Sequence, residues 1–326
     1  MYEEPASVGA RGCPRILVIR RDNIGDLVCT TPLLEALRVA RPNAWIAVLA
    51  NTYNSEVLSR NPSVDAVYTY EKLKHRSSPF LRLVLDRLRL TSELRRKALD
   101  CVLVPAPAPQ TLKLAGSIKA RSIVSADPMD QRHEVERTHA LGASLGVIGT
   151  PGPMRIYPDP ALVSVLRERI RPGPLVAVHL SARRPAQKWP VERYATFVRE
   201  VSRRARVMLL WSPGAAFDAQ HPGDDSAAEH LRQMLGGQSV DAVPTPDLAT
   251  LVAALSLSRF VVCPDGGAMH IAAALGKPIV ALFGDSVVHR WRPWSVDHRV
   301  VRPTSGDLRD LQVESVLAAL DELAEH

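Results

Sequence analysis

No run in the 326 residues reaches the ~18–20 consecutive apolar positions of a membrane-spanning helix; proline, glycine or charge interrupts each one. With 46% hydrophobic residues, that absence points to a soluble, globular chain. The opening stretch MYEEPASVGARGCPR carries early acids and no apolar core, so it does not read as a secretory leader. We take residues 1–14 as a disordered lead-in. The four cysteines, Cys13, Cys29, Cys101 and Cys263, form no C-x-x-C pair and show no zinc-type spacing. Free thiols in a reducing cytoplasm are expected, and no metal site. No zinc-finger or RNP-type motif supports a nucleic-acid partner. No G-x-G-x-x-G turn follows the first strand, which argues against a nicotinamide or flavin enzyme and leaves no cofactor expected.

What the chain does have is base. The net charge of +7 suits an anionic partner such as a phosphorylated substrate or an anionic membrane surface; an arginine-rich soluble protein explains it equally. The bases crowd into 72–97, with Lys72, Lys74, Arg76, Arg82, Arg87, Arg89, Arg95, Arg96 and Lys97 against Glu71, Asp86 and Glu93. Such a run is usually a solvated helix face. The sharper reading is a patch for phosphorylated lipid head groups at the inner membrane surface.

The most informative stretch is FVVCPDGGAMHIAAALGKPIVALFGD, from Phe260 to Asp285. A buried-type strand ends at Cys263, Pro264-Asp265-Gly266-Gly267 breaks it, and an alanine-rich helix begins at Ala268. Gly276 and Pro278 end that helix, and a second buried-type strand follows. Glycines at the turn let a ligand approach the backbone, and the amides and dipole of a helix start favour an anion such as a diphosphate. Asp265 as a simple helix cap is the plainer alternative. His270, one turn inside the helix, reads by itself as a packed histidine.

The N-terminal half alternates strands and helices: a strand at 15–20, a helix over 27–39, a strand at 45–49, a helix at 54–60, and so on to a helix at 136–145. This pattern predicts a doubly wound parallel sheet over 15–150. Asp26, after Asn23 and Gly25, would stand at the carboxyl end of the first strand, where open α/β sheets bind ligands. A favourable helix N-terminal charge is its bland role. Residues 151–174, rich in proline and glycine, read as a linker. The design then recurs over 175–306, and an amphipathic helix closes 307–326. The loop SARRPAQKWP, from Ser181 to Pro190, follows the first strand of this half with Arg183, Arg184 and Lys188, and could face phosphate.

Three motifs in order, ILVIRRDNIGDLVCTTPLLEALR, SARRPAQKWP and CPDGGAMHIAAALGKPIVALFGD with the later WRPW, resemble glycosyltransferase family 9, the ADP-heptose:lipopolysaccharide heptosyltransferases. The resemblance spans roughly 15–294. It implies a GT-B fold, in which two Rossmann-like doubly wound α/β domains face each other across a cleft, acceptor on the first and nucleotide-sugar on the second. It also implies inversion at the anomeric carbon without a metal, in keeping with the lack of a D-x-D motif. The implied partners are a nucleotide diphosphate sugar, ADP-heptose, and a phosphorylated glycolipid or glycan acceptor. Asp26 matches the family's base, with Asn23 and Gly25 on the acceptor side. Lys188 matches the phosphate-binding cation; Asp265, Gly266, Gly267 and Ala268 match the pyrophosphate loop, with His270 beside them and Ser181 a weaker candidate. Two departures stand out. Gly266 replaces a hydroxyl residue, and no glutamate aligns to hold the ribose in the loop after Trp211, where Asp218 is the substitute. A nucleotide-sugar epimerase and a non-catalytic glycan- or nucleotide-binding protein are the alternatives.

Overall fold

Short apolar runs without polar alternation suit strands buried on both faces, and the central strands of the two sheets are made of them. The computed structural model describes residues 13–70, 80–215, 223–237 and 240–325. The chain divides into two units, residues 1–155 and 156–326.

The first unit holds a five-stranded sheet of β1 (Arg15–Ile19), β2 (Trp45–Asn51), β3 (Ala66–Tyr70), β4 (Cys101–Val104) and β5 (Ser122–Ser125), in the order β3-β2-β1-β4-β5. Every pairing is parallel. β1 is central, with Ile16 opposite Ile46 on one side and Cys101 on the other. The order reverses between β1 and β4, and such a reversal opens a crevice at the strands' carboxyl ends. Connecting helices are α1 (Ile24–Val28), α2 (Thr31–Ala40), α3 (Phe80–Arg96), α4 (Pro109–Ile118) and α5 (Glu134–His139).

Three elements differ from expectation, the first being the helix predicted at 136–145, whose second half, Ala140–Leu145, is a 3₁₀ helix following α5. The helix predicted over 27–39 is broken into α1 and α2, because Pro32 has no N–H to give and belongs in a first turn. The helix predicted at 54–60 is only a 3₁₀ turn, Ser55–Leu58. There the Asn51 side chain accepts from the Tyr53 and Asn54 amides, and the Asn54 side chain accepts from the Asn51 amide. Side chains that satisfy nearby backbone compete with a helix.

The second unit opens with α6 (Pro160–Arg169), a helix inside the stretch read as linker. Its start signals are sound: Asp159 Oδ1 accepts from the Ala161 amide, and Pro160 stands in the first turn. Then come β6 (Leu175–His179), α7 (Val191–Val201), β7 (Arg206–Trp211), α8 (Asp225–Leu235), β8 (Asp241–Pro244), α9 (Leu248–Ser256), β9 (Phe260–Pro264), α10 (Gly267–Ala274), β10 (Ile279–Leu282), α11 (Val288–Trp291), β11 (His298–Val301) and α12 (Val313–Ala324). The sheet order is β11-β10-β9-β6-β7-β8, all parallel, with the reversal between β6 and β9. β6, β9 and β10 are wholly buried, whereas the edge strand β8 alternates half-buried and exposed residues.

α10 ends in a Schellman turn: Lys277 N–H donates to the Ala272 carbonyl, Gly276 N–H to that of Ala273, and Gly276 takes φ +70°. α12 lays Val316, Ala319, Leu320 and Leu323 into the core shared with Trp189, Tyr194 and Phe197. Full burial of such an aliphatic side chain contributes roughly 1.5–3 kcal/mol.

Candidate functional site

Asp26 is the third residue of α1, and Asn23 is that helix's cap. Its Oδ2 reaches back to accept from the Asn23 amide at 3.0 Å and from Asn23 Nδ2 at 2.9 Å. Its Oδ1 accepts from Arg20 Nη2 at 3.0 Å. A carboxylate offers about four acceptor positions; these bonds use three and leave one, on Oδ1. The Asp26 side chain is 13% exposed. Asn23 is exposed and Gly25 is buried.

Beneath Asp26 lies a charge network that sequence reasoning missed. Arg20 closes β1 and is fully buried. It pairs with Glu134 Oε1 at 2.6 Å, while Glu134 Oε2 accepts from Arg137 Nη1 at 2.7 Å. Burial alone would drive the Arg20 guanidinium down, but Asp26 and Glu134 outweigh it and hold the group above its ordinary range. Burial likewise works to raise the Glu134 carboxyl, and Arg20 overcomes it and holds it below the usual range. Buried charges survive only when paired in this way. The available sequence signal was a charge ending an otherwise apolar strand.

In the second unit the motif loops stand on both sides of the strand reversal. After β6 come Ser181 and Lys188; after β9 come Asp265 and the start of α10. Lys188 Nζ donates to Asp224 Oδ1 at 2.6 Å, and Asp224 is buried. An ammonium has three donors, so this pairing leaves capacity for an anion. Ser181 Oγ accepts from the Ser212 amide, which leaves its own proton to donate. Gln187 Nε2 bridges Asp265 Oδ2 at 3.2 Å and Ser286 Oγ at 3.1 Å, so the two sides of the reversal are joined.

Gly266 caps α10 with extended backbone, φ 163°, and an added Cβ would meet nothing within 4 Å. The first-turn amides at Gly267 and Ala268 have no acceptor within the helix. His270 is buried at 3% exposure, and its ring meets Trp291 edge-on at 6.0 Å between centroids. Asp218 lies outside the described residues. Asp225, which sequence reasoning passed over, accepts from Trp211 Nε1 and from the Gly214 amide. Those bonds, Trp211's first, lower its carboxyl and secure the loop after β7. His179, at the end of β6, is held down to about 4 by burial, against a weaker upward pull from Asp224.

This arrangement can hold an anion at the second unit's reversal and offers a fixed carboxylate at the first's. Known proteins agree in fold and family. Lipopolysaccharide heptosyltransferase 2 of Escherichia coli K12 is 26% identical over 321 residues, covering 90% of this chain and 89% of that protein. The solved glycosyl transferase family 9 protein of Veillonella parvula matches with a TM-score of 0.83 at 20% identity, over 96% of this chain and 98% of that one. The E. coli heptosyltransferase WaaC with ADP matches with a TM-score of 0.78 at 19% identity, over 95% and 99%. The structural likenesses carry the fold, two Rossmann-like α/β units on the GT-B plan. The sequence model described as glycosyltransferase family 9 (heptosyltransferase) matches residues 114–320, more than half of the chain, so this protein belongs to that family and is a glycosyltransferase.

Proposed function

We propose that this glycosyltransferase moves a heptose from ADP-heptose to a lipopolysaccharide core or related phosphorylated glycan, inverting the anomeric carbon without a metal ion. Asp26 Oδ1 takes the proton of the acceptor hydroxyl as that oxygen attacks the anomeric carbon. The bond to the diphosphate breaks, and its electrons leave with ADP. Lys188, the Ser181 hydroxyl and the α10 amides take up the charge that develops on the leaving group. The observation that carries this reading is that both sets of groups stand beside strand-order reversals, Asp26 after β1 and Lys188 with Asp265 after β6 and β9. A relative named as a lipopolysaccharide heptosyltransferase and a neighbour solved with ADP support the substrates.

We place the enzyme in the cytoplasm, working at the inner face of the membrane, where anionic lipid would attract its basic helix. Among the described residues no helix is long and apolar enough to cross a membrane. Contact would come through α3, where Leu85 and Leu88 are 45% and 63% exposed beside Arg87 and Arg89. Lys72, Lys74 and Arg76 of the basic run lie outside the described residues.

The test is turnover. ADP should be released from ADP-heptose only when a lipopolysaccharide acceptor is present, with EDTA having no effect, and the product linkage should be inverted by NMR. Release without acceptor, or a retained configuration, would overturn the reading.

A further inference from the structure

A cavity of about 620 Å³ opens beside the donor loops, lined by Asp285, Ser286, Val287, Val288, His289, Arg292 and Arg302. Its size suits a small ligand such as a sugar phosphate. The walls belong to the segments after β10 and β11, one and two strands out from β9, so the cavity stands to one side of the β6–β9 reversal.

Its electrostatics are lopsided. Two guanidiniums, Arg292 and Arg302, line it against one carboxylate, Asp285, and that carboxylate is already engaged by Arg184 Nη1 at 3.2 Å. Arg302 is exposed and has no hydrogen-bond or ion-pair partner among the described residues. Arg292 lines the cavity with its guanidinium carbon 5.8 Å from the Trp294 ring centroid and its Nη1 donating to the Pro293 carbonyl at 3.4 Å, and a guanidinium carries five N–H donors in a planar fork that matches an oxyanion. Ser286 Oγ accepts from Arg184 Nη2 at 2.7 Å and from Gln187 Nε2 at 3.1 Å. With both acceptor positions filled, its own proton points elsewhere as a donor.

We infer that this cavity is a second anion site, in which Arg292 and Arg302, helped by the Ser286 hydroxyl, bind a phosphate monoester. The inference rests on the proposed function only in calling the site second, since its lining residues are not those assigned to the diphosphate. Such a phosphate has two sources, the nucleotide itself or a phosphorylated acceptor glycan.

Inorganic phosphate, followed by the NMR shifts of the cavity's own Ser286, Arg292 and Arg302 amides, is the probe, titrated into wild type, R302Q, R292Q/R302Q and K188A. Each lost guanidinium should weaken phosphate about tenfold, and K188A should leave that affinity unchanged. Unchanged phosphate affinity in both R302Q and the double variant would overturn the proposal, and so would its loss in K188A alone. R302Q removes an exposed side chain without partners, so its reading does not depend on folding. Given the loss in the double variant, saturating ADP separates the sources. Phosphate that still binds beside ADP assigns the site to the acceptor. Phosphate displaced by ADP, with ADP itself weakened in the double variant, assigns it to the nucleotide. Failure of the diphosphate reading would show separately, as unchanged ADP affinity in K188A.

Discussion

Arg20 holds Asp26 at two points: its Nη2 donates to the carboxylate at 3.0 Å, and its Nε donates to the Asp26 main-chain oxygen at 3.2 Å. The carboxylate is fixed in position as well as paired. With Asn23 on the other oxygen, the free acceptor position on Oδ1 has a set direction, which is what a base needs to meet a particular hydroxyl.

Asp26→Asn should therefore keep the fold and remove the base. Asparagine can still accept from Asn23 and Arg20 keeps its pairing with Glu134, so the lost helix-end charge, about 0.3–1 kcal/mol, and the loss of one of Arg20's two close carboxylates lower stability without removing the network. We expect kcat to fall by about 10²–10⁴-fold, with ADP affinity unchanged by calorimetry. Turnover near that of wild type would remove Asp26 from the mechanism.

Glu134 tests the network beneath. Glu134→Ala leaves Arg20 and Arg137 buried without their shared carboxylate, and breaking a buried pair costs about 3–5 kcal/mol. The urea midpoint should drop accordingly. Glu134→Gln retains the shape and some hydrogen bonding and should lose less. If Glu134 also aims Asp26 through Arg20, the glutamine variant will show a lower kcat with KM for the donor unchanged. A purely structural role would lower the midpoint alone.

How much of this could be read from residues alone depends on chain distance. The β9–α10–β10 unit was legible because its signals are local: an apolar run, a Pro-Asp-Gly-Gly break, an alanine helix, and Gly276 in a conformation that favours glycine. Asp26 was legible for the same reason, since it closes on Asn23 three residues away. Its deeper partner was not. Arg20 and Glu134 are 114 residues apart, and no local period links them. Lys188 and Asp224 meet across 36 residues in the same way. The α1–α2 break was masked because apolar spacing ran on past Pro32, although that proline carried the stop.

Gly266 and Gly276 bracket α10 and should respond oppositely to a side chain. Gly266 is extended with open space around it, so Gly266→Ser should fold normally and gain up to ~0.4–1 kcal/mol by restricting the unfolded chain. The new hydroxyl at the helix start should tighten ADP several-fold in calorimetry. Gly276 has φ +70°, so Gly276→Ala should lose about 1 kcal/mol despite equally open space. Equal stability changes at the two positions would contradict the backbone assignment.

Lipid contact through α3 is tested by charge and by apolar exposure together. Cosedimentation should be stronger with vesicles containing phosphatidylglycerol than with phosphatidylcholine alone, and added salt should weaken it. Arg89→Glu and Leu88→Glu should each reduce binding, since both side chains are exposed on the described part of the helix. Equal binding to both vesicle types would leave α3 a solvated face.

His179 gives the protein an acid limit on stability. Its imidazole titrates at about 4 in the folded chain, where burial disfavours the charged form, and near ~6.5 once unfolded. As pH falls, the unfolded state takes up the proton first, so stability declines from about pH 6.5 and stops declining from this source below about pH 4. The full effect is ~3 kcal/mol. Glu134, held low, adds a separate loss that begins only near the ordinary carboxylate range. Urea midpoints measured from pH 7 to pH 5 therefore read the histidines, His179 together with His139, which burial also holds below its ordinary value, and the difference between wild type and a His179 variant isolates His179. His179→Gln should be less stable at pH 7 and slope less steeply across that interval than wild type, the remaining slope belonging to His139. A wild-type profile flat from pH 7 to pH 5 would mean that His179 is not held neutral in the folded protein.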